Sequence, residues 1–122
     1  AGGVLNQVVK ASNLVKNNIG KLATLGAGVS ATMTWLASDN IIGLMNIFTR
    51  DLEANVKFNG MPPEEALANI DQAQTFVNHA RNFIDINTML NPILWNSRKI
   101  AMANVEASQL TVDVRRDVIE NL

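Results

Sequence analysis

Of the side chains that perform acid–base, nucleophilic or metal chemistry, this sequence offers few. It has one histidine, His79, and neither cysteine nor tyrosine. A nucleophilic triad needs a base beside a nucleophile, and a zinc site needs three or four converging N, S or O ligands. His79 stands in Asn78-His79-Ala80-Arg81, at the boundary of an apolar helical stripe, where an ordinary hydrogen bond accounts for it. The pair Glu64-Glu65 would hold a divalent cation only if further carboxylates converged, and a role at a helix start already explains it. No Glu-x-x-His pattern of a di-iron bundle occurs. Gly26-Ala27-Gly28 lacks the further glycine, or the Lys-Ser/Thr, of a phosphate loop and does not follow a strand. The expectation is a protein that is not an enzyme, with no catalytic residue, no cofactor and no metal ligand.

Two other kinds of residue suggest contact rather than catalysis. From Ala1 to Ser38 the chain carries Lys10, Lys16 and Lys21 and no acidic residue, whereas all eleven carboxylates fall from Asp39 onward. A basic, acid-free leader of residues 1–38 joined to a mildly acidic body of residues 39–122 predicts that the two parts meet different surroundings. Starting on Ala1 rather than Met, the chain is expected to have lost an initiator Met or a longer leader. Within the leader, Leu22 to Ser38 is uncharged and borders on a membrane span, though short and diluted by Ser, Thr and Gly. Gly26, Ala27, Ser30 and Ala31 allow close helix approach in lipid or in a tight bundle. Lys10, Lys16, Lys21, Gly26, Ser30, Met33 and Trp35 are therefore the candidate interaction residues, for a membrane or for self-assembly. A pI near 5.7, with no basic stripe, argues against specific nucleic-acid binding.

The elements that must position these residues read as helices. The clearest runs from Met61 to Pro92. Proline suits a first helical turn because its missing N–H would lack a partner there, and Glu64 and Glu65 lie at the positive end of the helix dipole. Ala66, Ile70, Ala73, Val77, Ala80 and Ile84 recur at spacings of three and four, widened by Leu67, Phe76, Phe83 and Leu90. Pro92 disfavours helix at Asn91, so a helix from about 63 to 90 is predicted. Arg81 and Asp85, one turn apart, are expected to pair.

Before it, Leu5, Val8, Ser12, Val15, Ile19 and Leu22 form one stripe of an amphipathic helix with cationic edges. That helix either packs in a bundle or lies on an anionic surface. Ser38-Asp39-Asn40 offers helix caps, and Ile41, Leu44, Met45, Phe48, Leu52 and Val56 follow with a Glu53–Lys57 pair outside. Asn59-Gly60 closes that helix. After Pro92, Ile93, Ile100, Ala103, Ala107 and Leu110 mark another helix face, with Leu94, Ala101 and Val105 beside it. Arg98-Lys99 reads as a solvated basic spot. From Ser108 onward the pattern mixes strand alternation with helix spacing, and helix is preferred because no other strand exists to pair with.

These readings converge on one all-α domain of four to five helices, as an antiparallel bundle or elongated hairpins. Leu44, Phe48, Phe76, Phe83 and Trp95 are expected in the core, with Met33 and Trp35 on an intermolecular face. Apolar residues make up 48% of the chain and charged residues 17%, a balance that leaves apolar helix surface to be covered. The expected function is a structural or assembly protein that forms homo-oligomers, a virion shell or envelope-associated component, whose layout parallels small all-helical coat proteins in organisation alone. The alternative is a membrane-associated protein acting through residues 1–38, with lipid or other structural proteins as partners. A small-ligand-binding bundle ranks last, for want of convergent polar groups.

Overall fold

A computed structural model describes residues 2–18, 27–90 and 92–122. Among them are five α-helices: α1 (Gly2–Asn18), α2 (Ala27–Leu36), α3 (Asn40–Phe58), α4 (Pro63–Leu90) and α5 (Trp95–Glu120), with a 3-10 turn at Pro92–Leu94 before α5. The described residues include no strand, and the fold is all-α.

The bracketed central helix is α4, with the boundaries its prolines predict. Glu65 and Ala66 N–H groups donate to the Pro62 carbonyl, so Pro63 enters the first turn without losing a bond. Ala66, Ile70, Ala73, Val77, Ala80 and Ile84 are all fully buried, as are Phe76 and Phe83. Alanines on that stripe let α1 and α5 approach closely, and the phenylalanines fill the space between. Val8 and Val15 of α1, Met33 and Leu36 of α2, Ile41, Met45, Phe48 and Leu52 of α3, and Ala101, Val105, Val112 and Ile119 of α5 complete the core among the described residues.

Two short corners set the hairpins. Between α3 and α4, Gly60 takes a φ of +75°, a left-handed conformation that suits glycine, and Met61 N–H turns back to the Asn55 carbonyl. At the start of α3 the cap is Ser38. Its Oγ accepts from the Asn40 N–H at 3.3 Å, while Asp39 makes no side-chain cap bond.

Polar contacts fix the direction of α5. Arg98 near its start reaches Asp85 at 2.9 Å and the Thr88 hydroxyl at 2.6 Å, both late in α4. Gln109 and Gln74 exchange two amide hydrogen bonds of 2.7 Å, and Arg116 meets Asp71 at 2.9 Å. Partners earlier in α4 meet partners later in α5, so these helices are antiparallel. On α3 the order is the reverse. Asn104 binds the corner before α3, and Arg115 pairs with Glu53 further along it, so α3 and α5 run parallel. Asp85 therefore pairs with Arg98 rather than with the expected Arg81, and Arg98 is not a free cation. It lies 5.4 Å over the Trp95 ring and brings a positive charge to the C-terminal end of α4, which has no basic residue in its own last turn.

Glu53 accepts hydrogen bonds from Lys57, at 3.0 Å, and from Arg115. The hydrogen bonds from Lys57 and then Arg115 hold its carboxyl below the ordinary glutamate value, against a smaller opposing effect of burial. A folded-state pKa below the unfolded one stabilises the fold above the unfolded value, and this stabilisation fades as pH falls through the folded value. Glu53→Gln removes that contribution. In urea unfolding it is expected to lie below the parent at pH 7 and to approach it as pH falls through the lowered folded-state value. An unchanged gap between the two proteins as pH falls would refute the assignment.

Candidate assembly surface

The α5 helix turns a different face inward from the one its strongest apolar stripe predicts. Ala101, Asn104, Val105, Ser108, Val112 and Ile119 are buried. Ile93, Ile100, Ala103, Leu110 and Val114 are exposed, Leu110 at 64% and Ile100 at 55%, and Ala107 is half-buried. Polar contacts explain the reversal. Asn104 Nδ2 donates to the carbonyls of Leu36 (3.0 Å) and Ser38 (2.9 Å), and Ser108 Oγ donates to the Asn104 carbonyl (2.8 Å). With Arg115 drawn to Glu53 and Gln109 to Gln74, every directional contact of α5 pulls the same side into the bundle. A small and polar face is thus satisfied inside, and the larger aliphatic residues are left outside.

The expected core also changes in detail. Phe48, Phe76 and Phe83 are buried as predicted, and Leu44 is half-buried. Trp95, the first residue of α5 after the 3-10 turn, is 56% exposed. Met89 (70%) and Ile93 (74%), where α4 ends and α5 approaches, are exposed as well. An open groove of about 680 Å³ is lined by Trp95, Met102 and Ala103, with Arg98, Lys99 and Glu106 along it.

The sequence-predicted interaction residues divide. Met33 is buried at 2% exposure, so it belongs to the core and not to an intermolecular face. Trp35 is half-buried, its ring edge-on to Phe76 at 5.9 Å and 72°. It shares with exposed Lys10 an open cleft of about 660 Å³ between α1, α2 and α3, whose other walls include Ala11, Asp39, Leu44 and Ile47. Lys16 falls on α1 and Ser30 on α2, but their side chains lie outside the described part; Lys21 and Gly26 are outside the described residues altogether. Of the seven, the structure brings Lys10 and Trp35 together. The stretch 22–38 is helical from Ala27 to Leu36, and among the described residues no helix is long and apolar enough to cross a membrane.

His79 is half-buried on α4, and among the described residues no three His, Cys, Asp or Glu side chains cluster as a metal site would require. What the surfaces offer is apolar area edged with charge. The α5 row was missed because periodicity alone cannot say which of two stripes faces inward. Its regular three-four spacing, edged by Lys99, Glu106 and Asp113 at every seventh position, is the signal that distinguishes it. Compared with protein families, curated proteins and solved structures, the chain matches none.

Proposed function

We propose that this chain is a non-enzymatic structural protein that assembles with copies of itself through exposed apolar helix faces, as a component of a virion shell or envelope-associated layer. The observation that carries the reading is the outward aliphatic row of α5, continued by Trp95, Ile93 and Met89 at the corner. The buried core is already closed around α4 without these residues. Large apolar side chains aligned along one helix face, rather than scattered singly, mark an interaction site. The groups that could do chemistry serve packing instead: Arg98, Arg115 and Arg116 tie helices together, and Asn104 and Ser108 satisfy buried backbone.

Static light scattering of the purified chain tests this. A mass rising with concentration to a discrete oligomer without lipid is the expected result. A monomer that moves onto vesicles containing anionic lipid would replace the reading with the membrane one, acting through residues 1–38. A monomer indifferent to lipid would overturn both.

A further inference from the structure

We propose that α5 pairs with α5 of a second copy, antiparallel, about a two-fold axis beside Glu106. This rests on the assembly reading and names its surface, partner and symmetry. Ile100, Ala103, Ala107, Leu110 and Val114 repeat at spacings of three and four, the seam of a heptad pattern. Along one flank run Lys99, Glu106 and Asp113, seven apart and all exposed. Along the other run Ser97, Asn104 and Thr111, uncharged and inside or against the bundle.

That asymmetry selects the direction. In a parallel pair each helix's charged flank would face the other's uncharged, bundle-side flank, which is already occupied. An antiparallel pair sets the two charged flanks side by side. In the register that puts Ile100 against Leu110 of the second copy, Ala103 meets Ala107. Ile100 and Leu110 then pack large on large and the two alanines small on small, while Val114 falls against Asn96 at the edge of the contact. The same register brings Lys99 beside Asp113 of the second copy twice over, by symmetry, and Glu106 close to its own counterpart. Lys99 has no ion-pair partner among the described residues of its own chain, so the contact would be new rather than borrowed. The groove walled by Trp95 and Met102 continues this flank and lengthens the contact.

The size of the row sets the affinity. From Ile100 to Val114 it is about 21 Å long at 1.5 Å per residue. That is less than a standard interface of about 800 Å² per partner would occupy. Contacts below that size are typically weak and transient, so the measurement spans the micromolar range and weaker.

Sedimentation equilibrium of the full chain from about 5 µM to 1 mM is the test, with Lys99→Glu, Lys99→Glu/Asp113→Lys, Glu106→Gln and Leu110→Lys beside the parent. Leu110→Lys should leave helix content and the urea midpoint unchanged, since the side chain is exposed, and remove the dimer. Lys99→Glu should weaken association about tenfold by turning two attractive pairs repulsive. The double charge swap should restore it, and Glu106→Gln should strengthen it by relieving the like charges at the axis. A parent that stays monomeric throughout would overturn the proposal together with the assembly reading. Oligomers that survive Leu110→Lys would overturn the proposal alone and place assembly on another face. Loss of dimer in Lys99→Glu without rescue by the swap would overturn the antiparallel register.

Discussion

Phe76→Ala is expected to cost about 3–5 kcal/mol, the range for emptying a fully buried phenylalanine site. Phe76 has no exposed surface and sits mid-way along α4, the helix that α1, α3 and α5 all contact. Its neighbours on the stripe include Ala73 and Ala80, whose short side chains cannot move in to fill the space. The cavity would therefore persist instead of collapsing. Against a total of about 5–15 kcal/mol for a domain, this is a large share, and the variant would be partly unfolded at moderate temperature. The loss has an optical signature as well. Trp35 packs edge-on against Phe76, whereas Trp95 is on the surface. In a Trp95→Phe background, the emission of Trp35 should shift to the red on Phe76→Ala while the folded state is still populated. Phe58→Ala, at a side chain 79% exposed, should change the unfolding free energy by no more than about 0.5 kcal/mol. Equal effects at Phe58 and Phe76 would contradict this core.

Asn104→Asp should be as damaging, for an electrostatic reason. Both amide hydrogens of Asn104 are donated, to the carbonyls of Leu36 and Ser38, in a site only 8% exposed. An ionised aspartate would point its oxygens at two carbonyl oxygens and bury a charge with no counterion. A cost of about 3–5 kcal/mol at pH 7 is expected, against about 1–3 kcal/mol for Asn104→Ala, which leaves the carbonyls unpaired without adding charge. As a neutral acid the same residue can donate one hydrogen bond. The introduced carboxyl therefore has a folded-state pKa above its unfolded one. Its penalty is absent below the unfolded value, near 4, and grows as pH rises toward the folded value. Urea midpoints at pH 4 and pH 7 should show the variant approaching the parent at the lower pH. A cost independent of pH would mean that the amide does not hold this corner.

How much of this was legible follows from which residues carried the signal. The α4 boundaries came from Pro63, Glu64 and Pro92, whose backbone effects act locally and survive any packing. Its face was readable too, since Ala66, Ile70, Ala73, Val77, Ala80 and Ile84 compete with no second apolar stripe of equal weight. On α5 that condition failed. The outward row of Ile100, Leu110 and Val114 is more hydrophobic than the inward one, and only long-range partners such as Leu36, Glu53 and Gln74 decide between them. Met33 was misread for a similar reason. An uncharged run resembles an interface and a core alike, and its burial depends on how residues distant in the chain come to cover it. Trp95 was expected inside, yet it stands exposed where α5 starts after the 3-10 turn.

Three of the polar links between α4 and α5 also bear on how the chain finds this fold. Arg98–Asp85 spans 13 residues, Gln109–Gln74 spans 35 and Arg116–Asp71 spans 45. Loop-closure entropy grows with the logarithm of length, so closing the 35-residue loop from an open chain costs about 1 kcal/mol more than closing the 13-residue one. Once the inner link is made, each later one needs only a short additional loop. The hairpin can then zip outward from Pro92, and Glu53 and the Ser38 corner dock on a surface already formed. Most of the contacts that orient α5 are thereby reached through small increments of chain. That is the condition under which helical proteins fold quickly and leave their apolar rows exposed only briefly.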